Sequence, residues 1–360
     1  MTARIHPGVV SALAAAALFG ASAPLAKLLL DRTDPWLLAA LLYLGSGAGL
    51  WLLRLWRRPP AFTLERTERI WLALAVACGG IVGPVLLLVG LKHMAASSAS
   101  LLLNAEGLLT AVLAWVVWRE NMDRRVLLGM LAIVAGGVVL AWGSSFAQNA
   151  AATTAVWPAI AIVGACLAWA IDNNLMRKVS LADATWLAMI RGLVAGSVNL
   201  VLALWIADAS WPGAGTICLA ALLGFASYGA SLALFVVALR ELGVARTGAY
   251  FSVAPFFGAT LAVLLLAEPV TWQLLGAGAL MAVGVALHVL ERHEHQHKHE
   301  AMLHSHAHTH GVGDEHHDHR HEEAVPPGTR HAHPHGHEPL VHTHPHYPDA
   351  HHRHPHQPDR

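Results

Sequence analysis

The chain is expected to fold as an all-α integral membrane protein, with ten transmembrane helices forming two inverted five-helix repeats and a disordered tail behind them. Three observations carry that expectation. Of the 360 residues 55% are hydrophobic and 13% charged, too apolar a balance for a soluble protein of this size. Runs of about 17 to 25 apolar residues, the length needed to cross a bilayer, recur ten times before residue 290. The chain also repeats itself: a shift of 150 lays residues 25–36 over 175–186, with Lys27 on Arg177 and Trp36 on Trp186.

The spans are read in order as residues 9–30, 36–55, 70–91, 95–118 and 126–142, then 156–176, 186–207, 217–239, 247–267 and 272–290. Each is taken as a helix, because backbone polar groups in lipid must pair within their own segment. Span 1 carries Ala21-Ser22-Ala23 behind an apolar stretch and Arg4, the outline of a signal peptide. Pro24 stands at the would-be cleavage junction and span 6 repeats the segment, so it is read as a membrane helix. A second overlay, at a shift of 148, sets Gly90-Leu91-Lys92-His93 on Ala238-Leu239-Arg240-Glu241 and Glu120 on Glu268. Five spans per repeat is an odd number, so the second copy enters the membrane inverted. The domains are therefore 1–145, the first repeat; 146–290, the second; and 291–360, the tail.

Basic residues set the orientation. With the N-terminus in the cytoplasm, 14 Lys and Arg of the membrane part fall inside, among them Arg54, Arg57, Arg58, Arg66 and Arg69, against Lys27, Arg32 and Lys92 outside. The positive-inside rule then places both termini in the cytoplasm and the chain in a plasma (inner) membrane. Cys78, Cys166 and Cys218 all lie within spans and are read as filling small gaps between helices.

The composition changes at Glu291. Of 26 histidines, 23 lie in the last 70 residues, which carry a net charge of −5 with histidine neutral. So few apolar residues cannot bury a core, and the segment is expected to be unstructured. Histidines alternate at His304, His306, His308 and His310 and again at His331, His333, His335 and His337. In an extended chain alternate residues share a face, and neutral imidazole suits Zn²⁺, Ni²⁺ or Co²⁺. Metal binding is the chemistry this pattern favours; a solubilising or pH-responsive tail is the plainer reading.

A carrier's binding site is expected where Gly- or Pro-interrupted spans occupy matching places in the two halves. Span 3 holds Gly79, Gly80, Gly83 and Pro84; span 8 holds Gly224, Ser227, Tyr228, Gly229 and Ser231. Span 9 adds Tyr250, Ser252 and Pro255, whose missing N–H leaves a carbonyl near Phe251 available. Close helix packing is the alternative role for the glycines. Ionisable groups within spans are costly in lipid and point to function. Glu106 lies midway along span 4 with Thr110 one turn away and Asn104 on another face; it is a candidate carrier of a coupling proton, or else makes a helix-to-helix hydrogen bond. Asp172 and Arg191 lie at similar depth and could pair, either to fix spans 6 and 7 or, with Trp169, Asn173 and Asn174, to form a polar pocket. Lys27 is expected to snorkel to the outer surface, and His93 and His288 to lie at the interface.

These marks resemble the EamA family of the drug/metabolite transporter superfamily: ten spans in two halves, Pro24, the run Asn104-Ala105-Glu106-Gly107 leading to Arg119-Glu120, and the corresponding stretch from Tyr250 through Pro255 to Glu268. The resemblance covers residues 9–290. It implies an exporter or exchanger of small metabolites or drugs, with a central cavity between spans 1, 3, 4, 6, 8 and 9. The family pattern has Pro where this chain has Gly107. The function expected is thus secondary-active transport of a small organic solute, with protons as a coupling ion and a metal-binding tail. The alternatives are a divalent-metal exporter fed by the tail and a membrane-anchored metal buffer. No nucleophile, phosphate loop or tight metal motif supports an enzyme, no cofactor is required, and no nucleic-acid partner is expected.

Overall fold

The computed structural model describes residues 7–57, 66–118, 124–146, 156–176, 183–242, 244–289, 294–299, 302–309, 330–337 and 340–345. It divides into two units, Met1–Glu291 and Arg292–Arg360. The first is helical throughout its described residues. Seven helical stretches are long and apolar enough to cross a membrane: Pro7–Leu30, Pro35–Arg57, Arg66–Lys92, Ala96–Val117, Trp157–Met176, Thr185–Trp205 and Ala214–Ala238. Three shorter apolar helices, Leu127–Leu140, Ala254–Leu266 and Trp272–Leu287, fall within the expected spans 5, 9 and 10.

The first span is α1 (Pro7–Gly20) and α2 (Ser22–Leu30), parted at Ala21. Pro24, in the first turn of α2, has no N–H to donate back to Gly20, which accounts for the break. Next come α3 (Pro35–Arg57), then α4 (Arg66–Ala75) and α5 (Gly83–Lys92), joined by a π-helical segment at Val76–Val82. The fourth span is broken into α6 (Ala96–Leu102) and α7 (Ala105–Trp118), and α8 (Arg124–Phe146) closes the half. In the second half α9 (Trp157–Met176) and α10 (Ala184–Trp205) precede α11 (Ala214–Gly224), a second π-helical segment at Phe225–Ala230, and α12 (Ser231–Leu242). Then α13 (Val244–Phe251) and α14 (Ala254–Leu266) form another broken span before α15 (Trp272–Val289).

The interruptions recur in register. The π segments begin 149 residues apart, at Val76 and Phe225, and the breaks at Leu103–Asn104 and Ser252–Val253 are separated by the same interval. The helix contacts are paired likewise: α5 packs on α9 as α12 does on α1, and α7 packs on α9 as α14 does on α1. The pairs α3 with α10 and α8 with α15 join equivalent elements of the two halves, and α6 packs on α14.

Small residues make the closest of these contacts. A Cβ on Gly47 would meet the backbone of Gly192 and Leu193, and one on Gly192 would meet Gly47. The α3–α10 crossing thus depends on two facing glycines, as small-residue membrane contacts do. One end of that pair is tied by Arg54, whose guanidinium donates to Asp183 Oδ2 at 2.7 Å and to Thr185 Oγ1 at 2.9 Å. Asp183 Oδ1 accepts the Thr185 and Trp186 N–H groups, which caps α10. Trp56, Trp205 and Trp272 stand exposed at helix ends, where amphipathic rings sit at the two membrane surfaces. The cysteines are free; Cys166 is buried, but Cys218 is exposed rather than filling a gap.

Lys27 departs from expectation. Instead of snorkelling, its ammonium donates to the carbonyls of Leu91, Lys92 and Met94 at 2.5, 3.0 and 3.0 Å. The end of α5 supplies orphan carbonyls within reach, and these compete successfully with water for the charge. Glu268 makes the complementary contact, accepting the Ala96 and Ser97 N–H groups that open α6, at 2.7 and 2.9 Å. Ala267, left-handed at φ 51°, ends α14 and turns the chain so that Glu268 can reach them.

The described residues of the second unit are strands. Strands β1 (Glu294–His299) and β4 (Leu340–Pro345) pair antiparallel, as do β2 (Met302–Thr309) and β3 (Arg330–His337). The alternation that suggested chelation is also the period of a strand.

Candidate functional site

A cavity of about 290 Å³ lies within the helical unit, lined from both halves. That volume falls at the lower end of small-molecule sites. Its polar wall is built where the helices are interrupted. α7 begins in mid-span, and Glu106 sits in its first turn, where the positive end of the helix favours a carboxylate. Asn173 of α9 donates to Glu106 Oε1 at 2.9 Å and reaches Thr110 Oγ1 at 3.5 Å. Thr110 in turn donates to the Glu106 carbonyl at 2.8 Å.

Asp172 and Arg191 form an ion pair through Asp172 Oδ2 and Arg191 Nη2. The Asp172 side chain is 1% exposed and that of Arg191 23%, so the acid is sealed behind the pair while the guanidinium faces the cavity. Asp172 Oδ1 has no hydrogen-bond partner. Gly79 lies against the pair, because a Cβ there would fall on the Asp172 carboxylate.

The π segment explains the remaining donors. A wider turn leaves carbonyls without helical partners, and side chains meet them. Gly79 O accepts the Tyr43 hydroxyl and the Trp169 indole N–H, both at 2.9 Å, and Gly80 O accepts Asn199 Nδ2 at 3.0 Å. In the second half Ser227 and Ser231 donate to the carbonyls of Leu18 and Ala15, each at 2.8 Å, which ties α12 and its π segment to α1.

The apolar wall is aromatic. Tyr43 and Tyr228 have centroids 5.6 Å apart, Tyr228 and Phe19 6.1 Å, Phe19 and Phe251 5.5 Å, and Phe251 and Phe235 4.9 Å. These five rings, from five helical elements, form one continuous chain along the cavity.

Of the residues singled out in the sequence, Glu106, Trp169, Asp172, Asn173, Arg191 and Tyr228 line the cavity together. Gly79, Gly83 and Thr110 support that wall, Gly83 by leaving room for the Trp169 ring. Pro84 is buried in the first turn of α5. Asn104 is turned away: its amide donates to Leu101 O at 2.8 Å and lies against Met281 Sδ. Tyr250, Ser252 and Pro255 are not in the lining; Pro255 opens α14, and it is neighbouring Phe251 that faces the space. Phe19, Tyr43, Ser46 and Phe235 were missed, since an aromatic in an apolar run looks the same facing lipid or a cavity. Tyr43, a hydroxyl in the middle of a span, was the available signal. Among the described residues no group of three or more His, Cys, Asp and Glu comes together. In the tail the backbone register sets His304 opposite His335, His306 opposite His333, His308 opposite His331 and His337 opposite Met302; His310 lies outside the described residues.

A multi-pass helical bundle with a polar and aromatic chamber shared by two halves is a membrane transport protein. The chain belongs to the EamA-like transporter family, which matches it twice, over residues 6–142 and 156–290. An uncharacterized transporter of Methanothermobacter thermautotrophicus is 28% identical over 297 residues, spanning 77% of this chain and 84% of the relative. A solved crystal structure of a protein shares the fold, with a TM-score of 0.59 and 19% identity over 79% of this chain and 96% of the other.

Proposed function

We propose that the protein is a secondary-active carrier, most simply an exporter, which moves a small organic solute by alternating access. Two inverted halves of five spans each exchange conformations around the cavity, with both termini in the cytoplasm of a cell bounded by an inner membrane. The single observation that carries this reading is the matched interruption of the two halves: π segments and broken helices at equivalent places converge on one chamber. Broken helices put backbone polar ends at mid-membrane depth, where such carriers bind solute and ion.

Glu106 is assigned the coupling proton. It faces Asn173 on α9 and lies near Asp172 and Arg191, and Arg191 is neutralised by Asp172, so a proton on Glu106 leaves the chamber uncharged for the transition. In proteoliposomes containing a pH-sensitive dye, solute addition should move protons with the wild-type chain and not with Glu106→Gln. Equal proton movement in both would remove the role.

The His-rich tail favours a second reading, export of Zn²⁺, Ni²⁺ or Co²⁺. Because Asp172 and Arg191 cancel, Glu106 alone would face a dication, and we assign the tail to buffering or regulation instead. Cellular metal content, measured by mass spectrometry in cells expressing the wild type or Glu106→Gln, separates the two: metal lowered by the wild type only would establish metal export.

A further inference from the structure

Resting on the reading of the chamber as the substrate site, we infer that it takes an organic monocation: a substituted ammonium on an apolar or aromatic body. The inventory of donors and acceptors points there. Tyr43 O–H and Trp169 N–H are spent on Gly79 O, and Asn173 Nδ2 on Glu106. Ser227 and Ser231 spend their protons on α1 carbonyls. Arg191 is paired to Asp172 through Nη2. Of the two carboxylates lining the space, Glu106 has no ion-pair partner among the described residues, and the paired Asp172 keeps an unpartnered Oδ1. An anion would add to the Glu106 charge with no free cation to balance it, because the Arg191 charge is already matched by Asp172.

The charges agree with this. Asp172 and Arg191 cancel, so an ionised Glu106 leaves the chamber at −1. A monocation restores neutrality, as a proton does, whereas a zwitterion leaves the excess charge in a low-dielectric site. The rest of the wall is the run of five rings, whose negative faces attract a diffuse cation and whose area suits an apolar body. A small hydrated metal ion would make no use of those rings.

The test uses the purified full chain in lipid nanodiscs, with radiolabelled benzyltrimethylammonium as the probe. Neopentylbenzene, its neutral carbon isostere, and phenylalanine, a zwitterion, serve as competitors. We expect the cation to bind saturably, at least tenfold more weakly to Glu106→Gln and severalfold more weakly to Tyr228→Leu, with neither competitor displacing it at equal concentration. Glu106→Asp should recover part of the binding, which separates loss of charge from loss of fold. Displacement by neopentylbenzene as effective as by unlabelled cation, or unaltered binding to a correctly eluting Glu106→Gln, would overturn the inference. If the cation fails to bind while phenylalanine binds and is carried across proteoliposomes, the carrier reading stands and the monocation is wrong. If no solute binds or crosses with the wild type, both fall.

Discussion

Replacing Gly79 with Ala adds one methyl group at the most crowded point of the site. A Cβ at that position would overlap the Asp172 carboxylate and stand 2.5 Å from Arg191 Nη2, so the ion pair must move. Asp172 has little slack, being 1% exposed and paired to Arg191. Forcing an extra methyl into a packed site costs about 1–3 kcal/mol. Should the displaced pair open, the total approaches the about 3–5 kcal/mol of a broken buried ion pair. Ala offsets about 1 kcal/mol by its better helix propensity. A net loss of up to about 4 kcal/mol is expected. Gly107→Ala is the control, since nothing lies within 4 Å of a Cβ there; only the propensity gain applies, and the change should stabilise by about 0.8–1.0 kcal/mol. Both variants can be denatured in mixed detergent micelles and followed by Trp fluorescence. Opposite signs are expected. Equal stabilities, or a Gly79→Ala protein as stable as the wild type, would refute the placement of Gly79 beneath the pair.

Three further outcomes follow from the same geometry. Asp172→Asn and Arg191→Gln should each cost about 3–5 kcal/mol by leaving a buried charge unpaired, while the double variant should be more stable than either single one; strictly additive losses in a double-mutant cycle would mean that the two do not interact. Burial would by itself push the Asp183 carboxyl up, but hydrogen bonds from Arg54, Thr185 and the Trp186 N–H, with the Arg54 charge, more than offset it and hold the group down at about 2. Because an unfolded Asp titrates near about 3.9, its contribution is complete above that pH and is lost as pH falls toward about 2; the stability gap to Asp183→Asn, which keeps a cap but loses the partly exposed Arg54 ion pair worth up to about 1 kcal/mol, should close over that window and not at neutral pH. A synthetic peptide of residues 293–356 should bind Ni²⁺ or Zn²⁺ by calorimetry at pH 7 and release it by about pH 5 as the imidazoles protonate; retention at pH 5 would point to carboxylate rather than imidazole ligands.

The apolar runs and the pairing of spans 3 and 8 were legible because bilayer thickness and helix rise translate directly into sequence length and period. Glu106, Asp172 and Arg191 were legible because a charge in a span is expensive and needs a reason. The π segments were only half visible: the glycines at 79, 80 and 83 announce small side chains, but Gly79 and Gly83 are also required to leave space for Asp172 and Trp169 from another helix. The break in span 9 is marked by Pro255, whereas its counterpart at Leu103–Asn104 has no proline, and only the Asn104 amide bonding back to Leu101 O betrays it. The aromatic chain could not be read at all, since Phe19, Tyr43, Tyr228, Phe235 and Phe251 are brought together by helix crossings and not by spacing. Lys27 was misread because its partners are backbone carbonyls 64 to 67 residues away, and carbonyls are present at every position of a sequence.

The short turn between α5 and α6 is gripped at both poles. Lys27 holds the negative end of the helix that enters it, and Glu268 holds the positive end of the helix that leaves it. Each grip is made by one side-chain charge on a group of backbone atoms, so the bonds of each set are made or lost together. Separating the four spans here means releasing five charge-assisted hydrogen bonds, each worth about 1.5–3 kcal/mol, with little gained from a partial parting. Opening this end of the bundle would therefore have to release two side chains, Lys27 from three carbonyls and Glu268 from two N–H groups.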